Sequence, residues 1–237
     1  MADAVKTYGW EAKPRDPSVI LGGKKNIKDP MPQTVASIKL PDSTLAASVL
    51  LYAAKELSTP TFNHSMRVFY YGKAIHNQQF PEWHFTEETY LLACLLHDIG
   101  TTDKNISATK MSFEFYGGIL ALDLLSKELH APIEQAESVA EAVFRHQDIG
   151  ETGMITTIGQ LLQLATIFDN MGGHKDLVHE DTIRDVTARY PRNKWSSCFA
   201  ATIRKENGSK PWAHTTALGE DDFPNGVQNN KLMQPYD

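Results

Sequence analysis

Beyond about residue 42 the chain carries apolar side chains at helical spacing, and nowhere the sustained alternation of a half-buried strand. Asp42 is placed to cap a helix running to about residue 57, with Leu45, Val49, Leu50 and Ala53 on one face. Thr59-Pro60 pairs a cap with proline at the first helical position. The helix it opens aligns His64, Val68, Tyr71 and Ile75 on one stripe and ends before Pro81. Thr86 caps a third helix, with Glu87 and Glu88 in its first turn complementing the helix dipole. This helix is apolar nearly all round, as a central helix is, and Gly100 reads as its left-handed terminator.

Further helices are expected over about residues 109–129, 132–148 and 156–170, the last stopped by Gly172-Gly173. Two shorter ones follow near 182–190 and 194–206, and from Asn207 onward the chain reads as a loop-like tail. Gly117-Gly118 inside the fourth helix costs ~1 kcal/mol per glycine relative to alanine, which close helix packing or a local break would explain. The class is all-α. Residues 1–41 are polar and punctuated by Pro14, Pro17, Pro30, Pro32 and Pro41, and are read as an extended N-terminal arm suited to packing on a partner subunit. Residues 42–237 are expected to form one helical domain ending in that tail, and a homo-oligomer is expected.

Composition narrows the partners. The net charge is −6, with acidic and basic residues interleaved, so the basic stripe that duplex binding needs is missing and no nucleic-acid partner is expected. No apolar run approaches the ~18 residues of a membrane span. The opening MADAVKTYGW lacks the apolar core of a secretory signal, so no membrane association and a cytoplasmic setting are expected. Cys94 lies in an apolar run as a buried free thiol would, and two cysteines make no disulfide framework.

The candidate chemistry lies in polar residues embedded in apolar helices. His97-Asp98 stands at the end of the third helix, where an ionised carboxylate out of water must be paired, hydrogen-bonded or bound to metal. Neighbours on a helix point about 100° apart, so both can grip one ion only from a helix end. Asp169 repeats the pattern before a glycine stop, and His64 lies in the first turns of its own helix. Two imidazoles and two carboxylates from three helices suit zinc, iron or another borderline ion. Singly each signal is weak, because a lone histidine on an apolar helix is usually a hydrogen-bonded core residue and a two-letter motif arises often by chance.

The order His, His-Asp, Asp resembles the HD superfamily of metal-dependent hydrolases, which implies an HD-domain helical bundle with His64, His97, Asp98 and Asp169 as metal ligands. Longer strings are more specific: FNHSMRVFYYG, CLLHDIGTTDKN, ATKMSFEFYGGI, AVFRHQD, ITTIGQLLQLATIFDN, SCFAATIRKEN and KPWAHTT resemble the cyanamide hydratases, known chiefly from fungi. That resemblance implies one Zn2+, with another divalent ion such as Fe2+ as the alternative, and detoxifying addition of water to the nitrile of cyanamide to give urea. For this reaction His146 is the candidate for proton transfer, the bland alternative being a capping role. Thr166, one turn before Asp169, is placed to face the same cavity unless bonded to its own backbone. Lys104 is a candidate to orient substrate, a solvated lysine being the common outcome. Asn63 and Asn170 flank ligands, and Trp212 and His214 of the tail are candidates to close the pocket. The rival enzyme reading is an HD-type nucleotide phosphohydrolase, with Arg67, Lys104, Lys110 or Arg145 neutralising phosphate. The non-enzymatic rival is a degenerate HD domain that binds a ligand or partner.

Overall fold

The computed structural model describes residues 2–237; Met1, the first residue of the expected arm, lies outside them. The helices that carry the site are α4 (Thr59–Gln79), α5 (Glu87–Leu96), α8 (Ile133–Arg145) and α9 (Thr157–Met171), which pack on one another in the core. Side-chain caps explain where α4, α5 and α9 start. Ser58 Oγ accepts from Thr61 N, Thr86 Oγ1 from Thr89 N and Thr156 Oγ1 from Gly159 N. The preceding helix α3 (Thr44–Glu56) is capped by Ser43 rather than Asp42. α5 is buried from Thr89 to Leu96, as its all-round apolar surface requires. Among the described residues no helix is long and apolar enough to cross a membrane.

Gly100 plays a different part from the one expected. Its φ is not positive, so it is no left-handed terminator. A Cβ at this position would stand 2.0 Å from the Phe113 carbonyl oxygen. Glycine is required because the turn after α5 lies against the backbone of α7 (Phe113–Asp123). Gly117 and Gly118 answer the same need: a Cβ on Gly118 would lie 2.5 Å from the Phe144 ring, so close packing is the reason for the pair. α7 starts four residues later than expected and continues into one π-helical turn, Leu124–Glu128. A short helix between them, α6 (Asp103–Ala108), was not legible. Gly172 does take the left-handed conformation, with φ 69°, and ends α9.

Two corrections concern the ends. The arm is not simply extended: it holds α1 (Ala2–Thr7), β1 (Ala12–Pro14) and α2 (Pro17–Ile20). β1 pairs antiparallel with β2 (Met154–Thr156), Ala12 opposite Thr156, the one small sheet among the described residues of an otherwise helical fold. The arm lies along its own chain: Trp10 Nε1 donates to Glu134 O at 3.1 Å, and Gln79 Oε1 accepts from Ile27 N at 2.9 Å. Leu21 and Ile38 are buried in the main core. The tail is not loop-like either. After α10 (Glu180–Arg189), α11 (Trp195–Ser209) is followed by a 3-10 turn, His214–Leu218, and by α12 (Asp222–Gln228). Phe223 and Val227, four residues apart on α12, pack with Phe199 and Ile203 of α11 in a second small core.

Replacing Gly100 by alanine should lower stability by about 1–3 kcal/mol, the usual cost of overpacking, because the obstacle is backbone and cannot rotate away. The check is a fall in the denaturation midpoint at unchanged denaturant slope.

Candidate metal centre

α5 ends at Leu96, His97 caps it in helical conformation, and Asp98 leaves the helix at φ −101°, ψ 10°. This break lets two adjacent residues face one point. Thr101 Oγ1 donates to Asp98 O at 2.7 Å and Asn105 Nδ2 to Ile99 O at 2.7 Å, which hold the turn. α4 brings His64 from its second turn, and the end of α8 brings His146.

The tautomers follow from the partners. His97 Nδ1 lies 2.7 Å from Cys94 O, and His146 Nδ1 lies 2.7 Å from Val143 O. A carbonyl only accepts, so both Nδ1 atoms carry hydrogen and donate. His64 Nδ1 donates to Asp169 Oδ2 at 2.6 Å. The Nε2 lone pairs of His64 and His97 therefore face each other at 3.2 Å. Asp98 Oδ2 is 3.3 Å from His97 Nε2 and 3.7 Å from His64 Nε2. Ligand atoms of these three residues all lie within 4.8 Å of one another. Both Asp98 oxygens are buried without a hydrogen-bond partner, as is His146 Nε2, 3.8 Å from Asp98 Oδ1. With both rings neutral these lone pairs repel, and a cation placed between them satisfies all of these atoms at once. Zinc–nitrogen bonds of about 2.0–2.1 Å at tetrahedral angles set ligand atoms roughly 3.3 Å apart, so the spacing fits.

The titration behaviour points the same way. Burial lowers His64 to about 4, against the opposing pull of Asp169. Burial and then the neighbouring His97 lower His146 to about 4. Both are neutral near pH 7, as metal ligation and proton acceptance require. Burial also works to lower His97, but Asp98 outweighs it and the net shift is upward. Asp98 in turn is held well below the carboxylate range by His97, despite a burial effect of opposite sign. This corner favours positive charge.

Asp169 stands behind His64 rather than beside the other three. Its oxygens accept from Arg67 Nε at 3.0 Å and Nη2 at 2.8 Å, from Arg192 Nη1 at 2.7 Å, and from His64. These four donors occupy the carboxylate's acceptor positions. The two guanidiniums overcome burial and keep Asp169 ionised far below its ordinary range. The tail completes this cluster: Asp237 Oδ1 accepts from Arg192 Nε at 2.8 Å, and Asn230 Nδ2 donates to Asp169 O at 3.0 Å. Trp195 of α11 stacks on His64 at 4.2 Å with 14° between the planes, and its Nε1 donates to Asn170 Oδ1.

The remaining sequence candidates fall outside the cluster of His64, His97 and Asp98. Thr166 is buried and its hydroxyl donates to Gln163 O at 3.1 Å. Lys104 is exposed on α6, whereas Asn105 beside it turns inward. Asn63 donates to Pro191 O. Trp212 is 61% exposed, while His214 bonds buried Glu114. Sequence reasoning missed Arg192, Trp195 and Asn105 altogether. Arg67 entered only as a phosphate binder, although its place one turn after His64 on an apolar face was a usable signal.

Comparison with known proteins adds an independent finding. An HD domain family model matches residues 61–171, which contain His64, His97, Asp98, His146, Thr166 and Asp169. Two Saccharomyces cerevisiae proteins, cyanamide hydratase DDI2 and cyanamide hydratase DDI3, are each 46% identical over 214 residues, which is 90% of this chain and 93% of theirs. With the fold, the paired His97-Asp98 corner and this likeness along nearly its whole length, the chain belongs to the cyanamide hydratase family of HD-domain proteins.

Proposed function

We propose that this chain is a cyanamide hydratase: it adds water to the nitrile of cyanamide and releases urea, using one zinc ion. The observation that carries this reading is the convergence of His64 Nε2, His97 Nε2 and the unpartnered Asp98 carboxylate, in a chain whose relatives bear that activity in their names. These three residues would hold the ion. Asp169, the fourth ligand of the sequence expectation, serves here as the anchor of His64, a carboxylate–imidazole pair of the kind that orients metal-bound histidines. When bound, a zinc ion supplies Lewis acidity, which brings the pKa of water from 15.7 down to roughly 7.

The chain's own residues do the rest. His146 Nε2, neutral and without a partner, takes the proton that the attacking water gives up as its oxygen bonds to the nitrile carbon. The Thr166 hydroxyl uses its hydrogen on Gln163 O and keeps its oxygen free to accept from the amino group of the substrate. A small neutral substrate fits the electrostatics. Arg67 is bound to Asp169, Tyr190 O and Pro191 O, and Arg145 to Glu141, Asp148 and Met154 O. Lys104 and Lys110 are exposed. The cations that the phosphohydrolase reading needs are thus engaged elsewhere or solvated. A cytoplasmic setting, in keeping with the free thiols Cys94 and Cys198, and self-association belong to the same proposal.

Four measurements test it. Metal-stripped protein should form no urea from cyanamide and regain turnover with zinc. His97→Ala should remove both metal and urea formation while keeping most helicity; full activity in that variant would overturn the assignment. His146→Gln should keep the metal and lower kcat by about 10²–10⁴-fold, the usual weight of general acid–base catalysis. Cyanamide has few heavy atoms, each worth at most about −1.5 kcal/mol, so saturation is expected at roughly millimolar substrate or above.

The metal-stripped protein should also be acid-sensitive. His64 and His146 sit at about 4 when folded, against 6.5 for an ordinary histidine. Depressed folded values stabilise the fold above the unfolded value, and that contribution drains away as pH falls from 6.5 toward about 4. His97, shifted upward, has its contribution complete below 6.5 and does not oppose the trend. Thermal unfolding midpoints across this window should therefore decline steadily.

A further inference from the structure

A cavity lies on the far side of α9 from the metal corner. It encloses about 310 Å³, at the small end of the range for ligand pockets. At about 100° per residue, Gln160, Leu164 and Ile167 share roughly 60° of the α9 surface, and Asp169 points the opposite way. These three residues form one wall. The arm supplies Arg15 and Pro17, the turn after α8 supplies Ile149, and the turn after α9 supplies His174. The surface is mostly apolar with a few polar groups, the make-up of a small-molecule site.

Some of its polar groups are engaged within the protein. Gln163 Nε2 donates to Arg145 O at 2.7 Å and to Asp148 O at 3.0 Å. Arg15 donates from Nη1 to Thr152 O at 3.0 Å and from Nη2 to Asp148 Oδ1 at 2.8 Å. A Cβ on Gly150 would stand 2.8 Å from that Nη2, so glycine lets the guanidinium lie across the turn. Other groups are left over. Gln160, 1% exposed, has no partner for Oε1, and the buried Arg15 Nε has no acceptor. His174 holds a left-handed backbone at φ 53°, strain of the kind that gathers at ligand sites. Burial alone lowers its pKa, with no charge or hydrogen bond among the influences, so its neutral ring offers one donor and one acceptor. Buried donors and acceptors without partners are unfavourable, and water entering here would still leave the apolar wall uncovered.

We propose that this cavity binds a small neutral amide or ureide that carries an apolar substituent. The carbonyl oxygen of such a group accepts from Arg15 Nε, and its N–H donates to Gln160 Oε1. The last torsion of a glutamine is soft, so the amide turns its oxygen to the occupant. The substituent covers Pro17, Leu164 and Ile167. Charge selects a neutral ligand. Asp148 already pairs with Arg15, and the exposed Glu151 also lines the cavity, so an anion meets a carboxylate and no unpaired cation. The site goes beyond the hydratase reading and does not rest on it: it shares no side chain with the metal corner and needs no metal.

The probe is phenylurea. Titrated into zinc-loaded full-length protein, it should shift the side-chain amide NMR signals of Gln160 and Gln163 saturably, with a dissociation constant of roughly 0.1–1 mM for its about ten heavy atoms. The same constant is expected after zinc is removed. Binding that disappears with the metal puts the probe at the metal corner and overturns the proposal. Gln160→Leu, close in volume, should weaken binding about tenfold, because the ligand N–H loses its acceptor; the Gln163 signal follows binding there. Ile149→Trp fills the cavity from its rim, where Ile149 is 38% exposed, and should weaken binding at least about tenfold. If Gln160→Leu does not fold, this rim variant decides the matter. Benzoate, similar in size but charged, should bind at least about tenfold more weakly than phenylurea, and equal binding overturns the neutral class. No saturable shift up to about 10 mM phenylurea, or wild-type affinity in either variant, overturns the site.

Discussion

The interaction on which the site depends is the buried ion cluster around Asp169. One carboxylate, out of water, is held by two guanidiniums and an imidazole. Breaking such a cluster by removing one partner costs roughly 3–5 kcal/mol, because the remaining charge is stranded. Its members come from distant parts of the chain: Arg67 and His64 from α4, Asp169 from α9, Arg192 from the loop before α11, and Asp237 from the tail. Satisfying this carboxylate ties α9 to α4 through His64 and Arg67. It also fixes the tautomer of His64, and so the direction of the one lone pair that matters.

A second constraint works beside it. α5 must end where it does, because only outside the helix can Asp98 join His97 at one point. The end is set from outside, by the close approach of Gly100 to the backbone of α7, with Gly118 letting Phe144 in on the other side of that helix. Packing and chemistry meet here: the approach that excludes a Cβ also brings the Phe113 ring against His146.

Much of this was legible in the sequence. The helices around His64, His97 and Asp169 announced themselves because apolar periodicity, caps and glycine stops agreed at each. Gly100 was legible as a residue that must be glycine, but periodicity cannot tell a left-handed cap from a close approach; only the partner backbone decides. Arg192 was opaque because it sits in a polar stretch between Pro191 and Trp195 with no helical period, and its burial comes entirely from distant residues. β1 and β2 are three residues each, too short for alternation to register. The tail misled for a related reason: α12 spans seven residues, and its two apolar anchors mean little until α11 lies beneath them. In each case the missing information was a partner far away in the chain.

The stacking of Trp195 on His64 has a consequence of its own. The indole lies flat against an imidazole whose far nitrogen points into the metal corner, so its excited state samples the charge of whatever that corner holds. Intrinsic emission at this tryptophan becomes a built-in gauge of occupancy, readable on unlabelled protein.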